Sequence, residues 1–431
     1  MRAWATTFII LIFAILAFID RISISLMVDP IKNSFRIDDF RMGLLQGPAF
    51  ALFFLLGSLP MGWIVDRYSK RWTIYLGVTV WSLATIASAF ANSFFALVIA
   101  RCIVGLGEAT LQPAGWSMVA KIFPARRFGL AISILSSGAQ IGAAFSYILG
   151  GLILAESVRI GSFASSFVGL LTPWQIVFLV SGIPGIFLAF LIFIAPKERK
   201  GNREDTGENS LGLKSFIHEE RKFLTYHFLG FGFQCAMVLG AAAWIPTYLQ
   251  RIEEISVTTT GVILAILAFP IGTFGVIFAG WFADRAYAQG RHDIHLSHFS
   301  NVCAVMVLIG GLTFSFSKSA PLTIAALAFM GLIQPFSGVA GASLQISTPS
   351  AVRGRISAAF IMFYNAVGMT LGPSFIAFIS DYVVGPERLG IAIAINFAVM
   401  GSLASLFLWL GKSHAAAASR KYGALIPDQN G

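Results

Sequence analysis

The chain has 431 residues, of which 57% are hydrophobic and only 12% charged, with a formal net charge of +10. A soluble domain carries about 25% charged residues, so this composition excludes an ordinary water-soluble globule and describes a chain solvated largely by lipid. Apolar runs of about 20 residues recur along its length, each long enough to cross a hydrocarbon core as a helix. The roughly ten-residue alternating strands of a membrane barrel are absent from the pattern.

Read in chain order, these runs predict twelve helical spans at about 4–27, 40–65, 72–91, 94–120, 128–154 and 173–195, then 223–250, 257–283, 296–316, 319–347, 355–380 and 388–411. Met1 and Arg2 lead directly into the first run with no small-residue cleavage site, so it is read as a retained span rather than a signal peptide. The expected organisation is all-α, with a six-helix bundle at 1–195, a charged linker at 196–222, a second six-helix bundle at 223–411 and a disordered tail at 412–431. If both termini are cytoplasmic, that side holds 21 of the 30 Lys and Arg residues and the opposite loops hold seven. This bias orients the chain and accounts for its positive charge as a topological signal, without a nucleic-acid partner. Cys102, Cys235 and Cys303 fall in separate spans and are read as small apolar residues.

Two stretches repeat at about half the chain length. Gly62-Trp63-Ile64-Val65-Asp66-Arg67-Tyr68-Ser69-Lys70-Arg71 follows the second span, and Gly280-Trp281-Phe282-Ala283-Asp284-Arg285 follows the eighth, 218 residues later. A repeat of this period points to two related six-helix halves. The Gly-x-x-x-Asp-Arg pattern with trailing basic residues resembles the loop signature of the major facilitator superfamily. The resemblance implies a cytoplasmic latch made from Gly62, Asp66, Arg67, Lys70 and Arg71 and a second from Gly280, Asp284 and Arg285. Gly62 and Gly280 are expected to permit close helix approach, and Asp66 and Asp284 to bond nearby Arg groups. The second copy lacks consecutive basic residues, having Ala288-Gln289-Gly290-Arg291 instead.

Four charges lie well inside the spans, all in the first half: Asp20, Arg21, Arg101 and Glu108. Each costs about 3 kcal/mol at a bilayer centre when unpaired, so such residues mark a site by default. Arg101 and Glu108 are seven residues apart and share one helix face. Counting about 1.5 Å per residue from the start of each span puts Asp20 and Arg101 at similar depth, where they can pair. The same count leaves Glu108 deeper, with no partner at its level. A carboxylate in a low-dielectric medium holds a proton more readily, so Glu108 is the first candidate for proton coupling and Asp20 the second. Arg21 diverges from Asp20 by about 100° around the helix. Its planar fork suits an anionic substrate group, and Arg101 is expected to assist it.

The pair Asp20-Arg21, followed by Val104-Gly105-Leu106-Gly107-Glu108-Ala109, resembles the spinster branch of the superfamily. Trp244-Ile245-Pro246, Leu371-Gly372-Pro373 and Ile379-Ser380-Asp381 agree with it. This implies a transporter of lysolipids or sphingosine-1-phosphate that works by alternating access in a plasma-type, bacterial inner membrane. Protons are the expected coupling ion, with no other cofactor; no intramembrane nucleophile–base or metal constellation is visible in the sequence, so no enzymatic activity is expected, and the chain is expected to be a monomer. Phe269, Phe274, Phe329, Phe336, Phe360 and Phe363 are candidates for an acyl-chain wall. The same charges also resemble those of proton-coupled organic-anion and sugar-acid symporters, for which Gln46, Gln112, Gln234 and Asn365 offer polar contacts. A non-transporting membrane receptor on the same scaffold is the reading from a different class. His292-x-x-His295-x-x-His298 lacks a carboxylate-rich or cysteine partner set, and no metal site is assigned to it.

Overall fold

A computed structural model of the protein describes residues 2–123, 131, 134–156, 171–196, 210–317 and 319–423. The described residues form helices and connecting turns, with twelve helices long and apolar enough to span a membrane. We number them α1 (Ala3–Leu26), α2 (Asp39–Ser58), α3 (Lys70–Ala89), α4 (Phe94–Val119), α5 (Ile134–Ala155), α6 (Pro173–Ile194), α7 (Arg221–Arg251), α8 (Val257–Ala288), α9 (Ile294–Phe316), α10 (Ala320–Ile346), α11 (Ser350–Val384) and α12 (Pro386–Tyr422). The helical reading of every span follows from lipid as solvent, which leaves each backbone polar group to be satisfied within its own segment.

The chain divides into two compact units, one of residues 1–200 with 242–269 and one of 201–241 with 270–431. The end of α7 and the first part of α8 therefore group with the sequence's first half. Ionic contacts explain part of this: Arg251 Nη2 reaches Asp29 Oδ1 at 2.5 Å, and its Nη1 reaches the buried Asp39 Oδ2 at 3.0 Å. Lys32 also pairs with Asp39. Small residues supply the rest, with Gly261 of α8 seated on the backbone carbonyl of Tyr147 in α5.

Within the first unit, α1 packs on α5, α2 on α4, and α3 on both α4 and α6. Gly142 lets α5 approach α1, since a Cβ there would lie 2.6 Å from Phe18 Cβ. In the second unit α9 packs on α12, and α7 meets α11 where Gly240 and Gly372 face each other. The glycines of the fifth and eleventh spans are thus helix-packing surfaces. Cys235 fills the same interface beside Gly368.

One contact of this kind governs the interior of the first unit. A Cβ on Gly105 would stand 2.5 Å from the Phe50 carbonyl oxygen and 3.0 Å from the Phe54 nitrogen, both backbone atoms that cannot swing aside. We expect Gly105→Val to destabilise the protein by about 1–3 kcal/mol, the usual range for overpacking. A thermal melt in detergent, compared with Gly280→Val at a position with open space around it, measures the difference.

Proline breaks appear where the sequence places Pro270 and Pro335. Pro270 lies in a π-helical turn, Leu267–Ile271, and Pro335 lies between the two helical pieces of α10, Ala320–Ile333 and Ser337–Ile346. Pro113 opens the second piece of α4 after a break at 109–110, whereas Pro373 sits buried inside an unbroken helix. The tail differs from expectation. Helix continues through Ser402–Gly423, because Tyr422 packs edge-on against Phe216 and Lys421 pairs with Glu219. The hydrogen bond from Lys421 holds the Glu219 carboxyl below its usual range. Of the expected linker, Ser210–Glu219 is helical and 197–209 lies outside the described residues, as does 424–431.

Candidate functional site

The first piece of α4, Phe94–Glu108, starts at Ser93, whose hydroxyl accepts from the Ala96 N–H at 3.2 Å. Its regular helix puts Arg101 and Glu108 on one inward face, and both are buried, at 1% and 2% exposure. Two turns from the end of α1, Asp20 and Arg21 face them. Arg101 Nη1 donates to Asp20 Oδ2 at 2.8 Å, and the Thr85 hydroxyl of α3 lies 2.9 Å from Asp20 Oδ1. Arg21 Nη2 donates to Glu108 Oε2 at 2.5 Å.

Two ion pairs thus cross between α1 and α4, and their four charges cancel. The Phe50 ring of α2 lies against both cations, 4.6 Å from Arg21 Cζ and 5.8 Å from Arg101 Cζ. Phe18 and Phe54 complete the aromatic surround of Arg21 at 4.9 and 5.4 Å. Cation–π contact stabilises a desolvated guanidinium, and it depends on the close α2–α4 approach that Gly105 permits. The two pairs differ in access. Arg101, Asp20 and Glu108 have side chains at most 3% exposed, while Arg21 is 21% exposed. Among the described residues, Arg21 Nε, Arg101 Nε and Glu108 Oε1 have no hydrogen-bond partner although buried, and the same holds for both polar atoms of Gln46. Such atoms are unusual in a folded interior, and they leave donors and an acceptor available at one place.

The Asp20–Arg101 pair is as the depth count predicts. Glu108 is not: it has a cation partner, Arg21, where the count left it alone. Arg21 accordingly does not stand free for an anion here; it is shared with a carboxylate. Thr85, Phe50 and Phe54 were not singled out by the sequence. Their residue types are common in apolar spans, and only the packing of α2 and α3 against α4 brings them to the charges.

The repeated loop is less uniform than its sequence. The surroundings of Gly62 and the side chain of Asp66 lie outside the described set, and Arg67 and Lys70 both have partners. Arg71 donates from Nη1 to the carbonyls of Ala195 at 3.0 Å and Phe193 at 3.4 Å, capping the end of α6. In the second copy the expectation of close approach at Gly280 fails among the described residues, none of which lies within 4 Å of a Cβ there. Asp284 is exposed and has no ion pair among the described residues; it lines a cavity of about 180 Å³ with Gly280 and His295. Arg285 rests over Trp281 instead, 5.8 Å from its ring.

The phenylalanines named from sequence divide into two groups. Phe336 and Phe360 are buried around Phe231 and Tyr364, and Phe363 joins them through Phe228. His227 sits in the same cluster, with its Nε2 3.2 Å from the Ala340 carbonyl. Phe269, Phe274 and Phe329 are exposed at 45%, 58% and 46% and take no part in it.

Comparison with known proteins places this geometry. The chain is 23% identical over 419 residues to an MFS-type efflux pump of Mycolicibacterium smegmatis, covering 96% of this chain and 93% of that one. It is 25% identical over 355 residues to a D-galactonate transporter of Escherichia coli, covering 77% and 79%. Protein spinster of Drosophila melanogaster is 22% identical over 405 residues, 93% of this chain and 60% of the relative. Among solved structures, a bacterial homolog of the human lysosomal transporter spinster, inward-facing and unoccupied, superposes with a TM-score of 0.77 at 23% identity, covering 98% of both chains. The spinster resemblance read from α1 and α4 therefore extends to nearly the whole chain, and these relatives are transporters rather than enzymes. The profile of the Major Facilitator Superfamily matches residues 10–373, and with the twelve spans and the repeated Asp-Arg loop it leads to one conclusion: this chain belongs to that superfamily.

Proposed function

We propose that this transporter moves an anionic amphipathic lipid, of the lysophospholipid or sphingosine-1-phosphate kind, by alternating access coupled to protons. The observation that carries the reading is the Arg21–Glu108 pair, in which a half-buried arginine is neutralised by a fully buried carboxylate. A proton on Glu108 cancels the carboxylate charge and leaves the guanidinium to an incoming phosphate or carboxylate, which it binds through a planar fork. Proton and anion then take opposite ends of one ion pair, the proton on Glu108 and the anion on Arg21, and each favours binding of the other. Asp20 with Arg101 forms the second, less exposed pair. Basic-residue placement supports cytoplasmic termini, and a bacterial inner membrane is the proposed location.

A second reading, symport of a sugar acid, is favoured by the D-galactonate relative and by the unpartnered amide of Gln46. Uptake into proteoliposomes separates the two. Labelled lysophosphatidate and sphingosine-1-phosphate are offered beside D-galactonate, with and without an inward proton gradient. Lipid uptake stimulated by the gradient supports the first reading; uptake of D-galactonate alone replaces it with the second. With either substrate, Arg21→Ala is expected to raise KM at least tenfold, about the 1.5–3 kcal/mol of one charge-assisted hydrogen bond. An unchanged KM removes Arg21 from the binding site.

A further inference from the structure

Thr85 on α3 presents an arrangement that the transport reading leaves unused. Its Oγ1 lies 2.9 Å from Asp20 Oδ1 and also 2.9 Å from the backbone carbonyl of Trp81, one turn back on its own helix. A hydroxyl has one hydrogen to donate and two lone pairs to accept with. A bond from threonine to the carbonyl four residues earlier is an ordinary helical feature. A second acceptor at equal distance, itself an ionisable group, is not. Thr85, Asp20 and Arg101 are each at most 2% exposed, so no bulk water substitutes for either bond.

We infer that Thr85 is a positioning residue for protonation of Asp20, its hydroxyl turning between the Asp20 carboxylate and the Trp81 carbonyl as the proton comes and goes. While Asp20 is ionised, Thr85 donates to Oδ1 and Arg101 donates to Oδ2. When a proton binds Oδ1, that hydrogen is donated to Thr85 Oγ1, and the threonine hydrogen rotates onto the Trp81 carbonyl. Only the C–O torsion changes; no covalent bond in threonine breaks, and Arg101 keeps its hold on Oδ2 at 2.8 Å. Asp20 then keeps a hydrogen-bond partner on each oxygen in both charge states, which lowers the cost of passing between them in a buried place. The bond to the ionised form is charge-assisted and the stronger of the two.

The other groups around Asp20 are accounted for. Arg101 and Glu108 face it from α4, with Arg21 adjacent on α1. The α3 helix has no charge beyond Lys70 and Arg71 at its start. Helix Pro173–Leu188 of α6 contains no ionisable residue, and helix Gly138–Ala155 of α5 contributes only Tyr147. The second piece of α4 has Lys121 near its far end.

The inference rests on Asp20 taking up a proton, and its test does not require the substrate. The full chain, reconstituted in lipid, is titrated with pH while its infrared difference spectrum is recorded, and the carboxylic-acid carbonyl band missing in Asp20→Asn is assigned to Asp20. In Thr85→Val, which keeps the side-chain shape, that band is expected to move to higher frequency. The carboxylate stretching band of Asp20 is expected to shift as well, because the stronger of the two lost bonds belonged to the ionised form. Thr85→Ser is expected to restore both. A band indifferent to Thr85→Val overturns the role of Thr85 alone. A spectrum with no band lost in Asp20→Asn overturns Asp20 as a proton carrier and the inference with it, leaving coupling through Glu108 standing.

Discussion

Arg101→Met destabilises the protein by about 3–5 kcal/mol, the cost of leaving one member of a buried ion pair without its partner. The size follows from burial. The Asp20 and Arg101 side chains are 3% and 1% exposed, so the orphaned carboxylate cannot turn to water. It would keep only the Thr85 hydroxyl. Removing both charges reverses most of the loss, because a desolvated pair replaced by apolar or neutral groups of similar volume is often close to neutral in free energy. The double variant Asp20→Asn/Arg101→Met therefore melts nearer the parent than Arg101→Met does. Thermal unfolding in detergent micelles measures all three. If the single and double variants lose equal stability, the pair is not the reason for the loss.

Glu108→Gln abolishes the pH dependence of transport while leaving the fold in place. The amide stands for the protonated acid: it is uncharged, similar in shape and unable to release a proton. Arg21 is then free of its counter-ion at every pH. Its 21% exposure lets solvent reduce the cost of that isolation, unlike the case of Arg101. The sign follows from the pair. On the proposed mechanism, acid on the loading side neutralises Glu108 and opens Arg21 to the anion, so an inward proton gradient is expected to accelerate uptake in the parent. In Glu108→Gln the stimulation by the gradient falls at least tenfold, whereas substrate exchange at equal pH persists. Uptake assays with and without a gradient decide the matter, and a variant that still follows the gradient assigns coupling elsewhere. Asp20 is the next group to test.

Much of the fold is legible in the order of residues. Twelve spans could be placed to within several residues from apolar runs, because in lipid each helix must close its own hydrogen bonds and needs a fixed apolar length to do so. The last span is the exception. It runs on to Tyr422 through Lys412 and His414, where hydropathy falls but partners such as Glu219 and Phe216 hold the helix. The grouping of 242–269 with the first unit is invisible in a half-length repeat, since it depends on Arg251 finding Asp29 and Asp39 across more than 200 residues of sequence.

The site divides along the same line. Charge inside an apolar run is costly, so Asp20, Arg21, Arg101 and Glu108 could be named from composition and position alone. The Asp20–Arg101 pair followed from depth, which is additive along a helix. Depth counted from the start of each span failed for Glu108. The fourth span itself, Phe94–Val119, agrees with the predicted 94–120, so the miss lies in equating the depth of a long side chain with that of its backbone. The long Arg21 side chain reaches Glu108 from the next position after Asp20. The sequence by itself determined how many helices cross the membrane and which charges they carry inward, because both depend on local cost in lipid. Which carboxylate meets which arginine, that Phe50 lies against two cations, and that Thr85 holds two acceptors at once were decided only by tertiary packing, because each depends on the rotation and close approach of neighbouring helices that no single segment encodes.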